Sequence, residues 1–476
     1  MNSHSIRTSA RRWLPPSVGL ALAGVLLAGC KGIPTKSEKA ARQQAQAVAK
    51  DYRPRGEKPA LPELAADSSL SNYLAYAMLN QPKVEAAYYD WLASVERITQ
   101  ARSLPDPQLT FQMDIQNIIT SVMPGLMGSI PWPDKLRVGA QVASAESQSR
   151  YFTFQSAVLA SAFDVKRAYY QLYFLSEKIR VDRETLQLLS DLEKSARAQN
   201  EAGKVTLQDV LRAQIEQDSL KTEIANLEDS RNALMAQFKA ALGLGGNDPE
   251  PPTPGRFEST SLELSADHVF DTALAQNTQL RAMSADVRAV EASITLAKRT
   301  RLPDFSLGLM ADAKMNPTLY RPLGTVSLPI WRDKIAAQIA EAQANKRSAE
   351  ARLSDEQITL AVDVAEKTYL YREATRNLAL LTEQLLPKAR QSLEVARAGY
   401  LAGQIDFFNL IDAERTLLGF QLDKVEVATQ REIVLAELSL IVQGMPPSGA
   451  AMGGGARSMT PKSGGARPAM KKTGGM

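Results

Sequence analysis

Between Leu109 and Gln116 the side chains alternate without a break. Leu109, Phe111, Met113 and Ile115 are apolar, and Thr110, Gln112, Asp114 and Gln116 are polar. Period two predicts a strand with one apolar and one polar face. The same entry recurs further on, because Leu302-Pro303-Asp304 repeats Leu104-Pro105-Asp106 at an offset of 198 (302 − 104). There Phe305, Leu307 and Leu309 alternate with Ser306, Gly308 and Met310. A return segment sets Val326, Leu328 and Ile330 against Thr325 and Ser327. Both tracts end at a proline–tryptophan junction, Pro131-Trp132-Pro133 and Pro329-Ile330-Trp331. The bracketing prolines stand 24 positions apart in the first copy (131 − 107) and 26 in the second (329 − 303). Each gap fits two strands of about ten residues and a turn, and ten is the length of a tilted transmembrane strand. The first return strand departs from the pattern, since Pro124, Gly125, Gly128 and Pro131 interrupt it.

Long helical tracts follow each hairpin. A helix is also predicted from Ser71 to Arg102. No proline stands between Pro133 and Pro249, so residues 134–200 can form one helix of up to about 100 Å. Ala202-Gly203-Lys204 breaks it, and a second helix is predicted to about Leu242. The second half repeats this from Asp333, with a kink expected at Pro387. Steps of three and four from Val210 reach Ala213, Gln217, Leu220, Ile224, Leu227, Arg231, Leu234, Phe238 and Ala241. Adding 200 to each gives Leu410, Ala413, Leu417, Phe420, Lys424, Val427, Arg431, Val434, Leu438 and Ile441. Both series are heptad seams with Arg at the seventh position, counting Val210 and Leu410 as the first. The chain therefore reads as an internal duplication, helix–hairpin–helix–helix written twice, mainly α with membrane β-hairpins. The first repeat spans 70–243, with its hairpin at about 106–132. The second spans 266–445, with its hairpin at about 304–330. Residues 30–69 form a polar, weakly structured N-terminal extension, 244–265 a Gly- and Pro-rich linker, and 446–476 a disordered tail.

Composition narrows the function. The chain has 476 residues, 44% hydrophobic and only 6% aromatic, with a net charge of +4. No basic run is interleaved with aromatics, which argues against nucleic-acid binding. The single Cys, Cys30, precludes an intrachain disulfide and, with only two His, any Cys/His metal cluster. No nucleophile stands with a partner base, and Gly243-Leu244-Gly245-Gly246 follows a helix as a cap, so an enzyme is not expected, nor a cofactor. Arg7, Arg11 and Arg12 precede the apolar run Val18–Gly29, which is too short to span a bilayer but suits a signal peptide over 1–29. Leu27-Ala28-Gly29-Cys30 resembles the bacterial lipobox, which implies lipidation of Cys30, and Lys31 is compatible with outer-membrane delivery.

A lone hairpin in lipid leaves backbone groups unpaired, so closing a pore requires several copies of the chain. Trp132 and Trp331 are placed for an interfacial aromatic girdle. The lipobox, the two Leu-Pro-Asp entries, the proline–tryptophan junctions and the two Ala-Gly turns together resemble the TolC-type outer membrane efflux proteins. That resemblance implies a homotrimer with a 12-stranded β-barrel and a trimeric α-barrel. It implies outer membrane lipid, a periplasmic adaptor protein and an inner-membrane transporter as partners, and an exit channel for drugs or metal ions. It places the pore gate at the second Ala-Gly turn, on Asp412, Asn409 and Asp406. It also implies a tip lock between Asp209 and Tyr400, whose basic partner is replaced here by Ile405. Carboxylates near the axis would favour cations.

Other readings compete with this one. Met113, Met123, Met127, Met310 and Met315 lie in or near the hairpins. They serve either as packing residues or as soft-metal ligands. A type I protein-secretion channel fits the same pattern. A lipid-anchored periplasmic coiled-coil scaffold without a pore explains the heptads but not the two matched alternating tracts.

Overall fold

The structure, a computed structural model, describes residues 34–443 except 66, 116–118, 204–205, 260–265, 313–314 and 316. Cys30, the segment 1–29 expected to be a signal peptide and the tail from 446 lie outside the described residues. Both copies of the repeat are built alike. The first comprises α2 (Leu70–Asn80), α3 (Pro82–Arg102), β1 (Gln108–Ile115), β2 (Ile119–Ile130), α4 (Pro133–Glu201) and α5 (Leu207–Ala241). The second comprises α6 (Ala266–Gln276), α7 (Thr278–Arg299), β3 (Asp304–Asp312), β4 (Leu319–Ser327), α8 (Arg332–Leu380), α9 (Leu386–Leu401) and α10 (Phe407–Gln443). The helix α4 packs on α3, α5, α7 and α10, and α8 packs on α7 and α10. Among the described residues no helix is long and apolar enough to cross a membrane.

Three local features refine the sequence reading. The N-terminal extension contains a helix, α1 (Lys36–Tyr52), where weak structure is expected. Thr35 caps it, accepting from the Glu38 N–H at 3.1 Å. The Glu38 carboxylate is fully buried and held by Arg102 Nε at 2.6 Å and Thr99 Oγ1 at 2.8 Å. This ion cluster straps α1 to α3, and the Thr35–Glu38 spacing is the one sequence signal for it.

The second feature is β2, which runs unbroken through Pro124, Gly125 and Gly128. At Gly125 an added Cβ would come within 2.5 Å of Met310 Cγ, so the glycine is the space that Met310 fills.

The third lies before Pro387, where the chain widens into a π-turn over Leu381–Leu385 rather than breaking. Proline lacks an N–H and collides with the carbonyl four residues back; a wider turn moves that carbonyl aside.

The duplication reaches the side chains. Gln81 Nε2, at the α2–α3 junction, donates to Ala240 O and Ala241 O at 3.0 and 3.1 Å. Asn277 Nδ2, at the α6–α7 junction, donates to Ile441 O at 2.8 Å. Each buried amide satisfies carbonyls left open at the end of its repeat's last helix.

Candidate functional site

Two regions carry the candidate residues. The first is a four-stranded antiparallel sheet in the order β1-β2-β3-β4. The register sets Leu109 opposite Leu126, and Leu126 opposite Leu309, across one face. Leu109, Phe111, Leu126, Leu307 and Leu309 on that face are exposed. The other face carries Thr110, Gln112 and Asp114 on β1, and Ser306 paired with Ser129 and Thr325. One face is therefore compatible with lipid and the other with water. The outer edges of β1 and β4 have no partner strand among the described residues.

Trp132 and Trp331 stand immediately before α4 and α8. Trp132 is half-buried with its ring 6.2 Å from that of Phe305, and its backbone N–H donates to Asp304 Oδ1 at 3.0 Å. Lys135 Nζ bonds the same carboxylate at 2.8 Å and the Leu302 carbonyl at 2.9 Å, pinning β3 to the start of α4. Trp331 is 73% exposed, so the two positions match in sequence but differ in environment. Of the hairpin methionines, Met113 and Met315 are exposed, Met127 is half-buried, and Met123 and Met310 are buried. Among the described residues no group of three or more His, Cys, Asp and Glu is placed to hold a metal.

The second region is the pair of tip hairpins, α4–α5 and α9–α10. Each turns at a glycine with φ near +70°, Gly203 at 69° and Gly403 at 67°. A side chain at these positions would be strained. Residues related by the duplication meet in one cluster: Ala196 with Ala396, Val210 with Leu410, and Ala213 with Ala413. The two hairpins thus pack against one another through this cluster.

The candidate gate and lock residues separate into distinct roles. Asp406 directly precedes α10, and its Oδ1 accepts from Asn409 N at 3.0 Å and Asn409 Nδ2 at 2.7 Å. Asp209, inside the first turn of α5, reaches back instead to the cap residue, its Oδ2 accepting from Thr206 N at 3.1 Å and Thr206 Oγ1 at 2.9 Å. These contacts satisfy open N–H groups at each helix start. Asp412 is exposed, one turn into α10. Tyr400 Oη donates to Gln199 Oε1 at 2.9 Å rather than to Asp209. Burial pushes the Tyr400 phenol up, bonds to Ser195 and Gln199 pull it down, and the nearby Asp209 charge raises it. Ile405, in the place of the basic partner, packs against Gly399.

Sequence reasoning missed the contacts that join the hairpins: Gln199 to Tyr400, the Glu216–Arg415 ion pair, and the Arg212 guanidinium 5.4 Å from the Phe408 ring centre. The 199-residue separation of Glu216 and Arg415 is close to the repeat offset of 200 and was the available signal.

Residues 269–442 match the family model described as outer membrane efflux protein. The chain is 23% identical over 374 residues to the cobalt-zinc-cadmium resistance protein CzcC of Cupriavidus metallidurans, covering 75% of this chain and 85% of that one. Its fold superposes on the channel CusC with a TM-score of 0.68 at 15% identity, covering 82% of this chain and 98% of CusC. It superposes on the open state of the MtrE outer membrane channel of Neisseria gonorrhoeae with a TM-score of 0.67 at 16% identity, covering 82% and 97%.

Proposed function

We propose that this chain, whose residues 269–442 match the outer membrane efflux protein model, works as a homotrimeric exit conduit of a tripartite efflux pump. Small molecules, drugs or metal ions, pass from periplasm to exterior. The carrying observation is the open-edged sheet, with an apolar face and a polar face, standing on helices tens of ångströms long. In lipid, the free edges of β1 and β4 must pair. Pairing β4 of one copy with β1 of the next closes a barrel, and three copies supply 12 strands. The apolar row then meets lipid, the polar row lines the bore, and Trp132 and Trp331 lie at the level where strands pass into helices.

Cys30 anchors the chain to the outer membrane, and an adaptor and an inner-membrane transporter complete the pump. The tip hairpins form the periplasmic gate. Asp412 of each protomer faces the axis there, and Asp406 and Asn409 hold the start of its helix in position. No chemical step is required of the protein.

The test is reconstitution of purified full chain into planar bilayers, with membrane fractionation of cells that express it. The reading expects discrete channels from an outer-membrane-resident trimer. A soluble monomer after removal of the lipid, with no conductance, would leave the coiled-coil scaffold instead.

A further inference from the structure

The polar face of the sheet carries an anomaly. Met123, Met127 and Met310 all project from it, among Thr110, Gln112 and Ser306. Alternation fixes this face, because Met123 pairs with Gln112, Met127 with Gln108, and Met310 with Gly125. The pairs Gly125–Met310 and Met127–Gly308 put Met310 diagonal to Met123 on one side and to Met127 on the other. Diagonal neighbours on one face lie about 7–8 Å apart, within reach of long side chains.

Glycines make the room. A Cβ at Gly125 would stand 2.5 Å from Met310 Cγ and 2.9 Å from Thr110 Oγ1, and one at Gly308 would stand 3.3 Å from Met127 Cβ. The Met310 side chain lies over Gly125, and Met127 stands beside Gly308. Met123 is 1% and Met310 9% exposed. Met113 and Met315 are exposed and take no part. A negative charge is close by: two residues beyond Met123 and Met310 respectively, Ser121 Oγ donates to Asp312 Oδ2 at 2.9 Å, and both residues are buried.

We propose that Met123, Met127 and Met310 form a thioether site on the inner wall of the sheet for a soft monovalent cation, Cu(I) or its analogue Ag(I). Thioethers select soft cations, whereas borderline Zn(II) prefers imidazole, thiolate and carboxylate together. No such mixed set is grouped among the described residues. Unbranched methionine is a poorer strand former than the Val, Ile or Thr that would fill the same positions for packing alone. The Asp312 carboxylate offsets the charge of the bound ion. The proposal rests on the sheet's polar face lining a conduit, and the test separates the two ideas.

Full chain purified in detergent, with methionine methyls labelled with carbon-13, is titrated with silver nitrate in chloride-free buffer and, separately, with zinc sulfate. The site predicts one Ag(I) per chain after desalting. It also predicts methyl shifts at Met123, Met127 and Met310 but not at Met113 or Met315, and no displacement by Zn(II). The Met123→Leu/Met310→Leu double variant weakens binding at least about tenfold, the size that even outer-shell changes reach, and Met113→Leu does not. Absence of Ag(I) binding overturns the site. So does binding unaffected by the double variant, or shifts confined to the exposed methionines. The methyl spectrum of the unmutated chain decides the matter even if the leucine variants fold poorly. Conductance without Ag(I) binding removes this site alone, and Ag(I) binding without conductance removes the conduit alone.

Discussion

Replacing Tyr400 by Phe tests whether the tip hairpins act as a latch. The change keeps the ring, which is buried among Ala196, Ala396 and Leu410, and removes the hydroxyl, which donates to Gln199 at 2.9 Å and is also bonded to Ser195, so one bond per protomer is the minimum lost. A part-buried neutral hydrogen bond contributes about 1 kcal/mol net. The bond joins the end of α4 to the end of α9, so separating the hairpins breaks it. If three protomers open together, about 3 kcal/mol is removed from the closed state, about a hundredfold in the closed-to-open ratio at 1.4 kcal/mol per decade. The Glu216–Arg415 pair also bridges the hairpins, but both side chains are partly exposed, at 33% and 52%. Solvent screening limits it to under about 1 kcal/mol, so Glu216→Ala should shift the ratio less. The assay is open probability of single channels in planar bilayers, with the thermal midpoint of each variant as a folding control. Tyr400→Phe should open far more often than Glu216→Ala. An unchanged open probability in a stably folded Tyr400→Phe channel would refute the latch.

Three further outcomes follow from the same geometry. Asp412→Ala should raise conductance and weaken block by divalent cations, measured in the same bilayers, while a change confined to thermal stability would remove Asp412 from the gate. Asn277→Ala loses the cap on Leu280 N at 2.9 Å and the bond to Ile441 O at 2.8 Å; the cap is worth about 1 kcal/mol and the stranded buried carbonyl about 1–3 kcal/mol, so denaturant titration should show a loss of about 2–4 kcal/mol. The N-terminal strap should be acid-sensitive: burial raises the Glu38 carboxyl, but bonds and charge from Arg102, Thr99 and Arg42 outweigh it and leave it below its ordinary value. A lowered folded value stabilises docking above the ordinary carboxylate range and loses that contribution as pH falls through the folded value, so limited proteolysis near α1 should accelerate in acid, and Glu38→Gln should abolish that pH dependence.

Much of the architecture was legible in the order of residues because it is local or periodic. Alternation from Leu109 to Gln116 sets a strand with two unlike faces, and the 3–4 stepping from Val210 and Leu410 sets two seams. Thr206/Asp209 and Asp406/Asn409 sit at the offset of 200 that marks the duplication, and each pair is bonded across its helix start, Thr206 N to Asp209 in the first and Asn409 N to Asp406 in the second. What was not legible depends on partners remote in the chain. The continuity of β2 through Pro124 and Gly125 follows from Met310 filling the glycine's space, and Met310 lies 185 residues away (310 − 125). The helix α1 has little apolar surface of its own; Arg102 and Thr99, more than 60 residues on, hold Glu38 against α3.

By itself, the sequence determined the long helices, the first strand of each hairpin, the repeat and the side of those strands that can face lipid, since these follow from side-chain spacing along one backbone. Only the tertiary structure decided which group each polar side chain meets. It gave Tyr400 to Gln199, kept Asp209 and Asp406 as helix caps, and left Asp412 exposed. Hydrogen bonds and ion pairs act over about 3 Å, a distance that no spacing along the chain can specify.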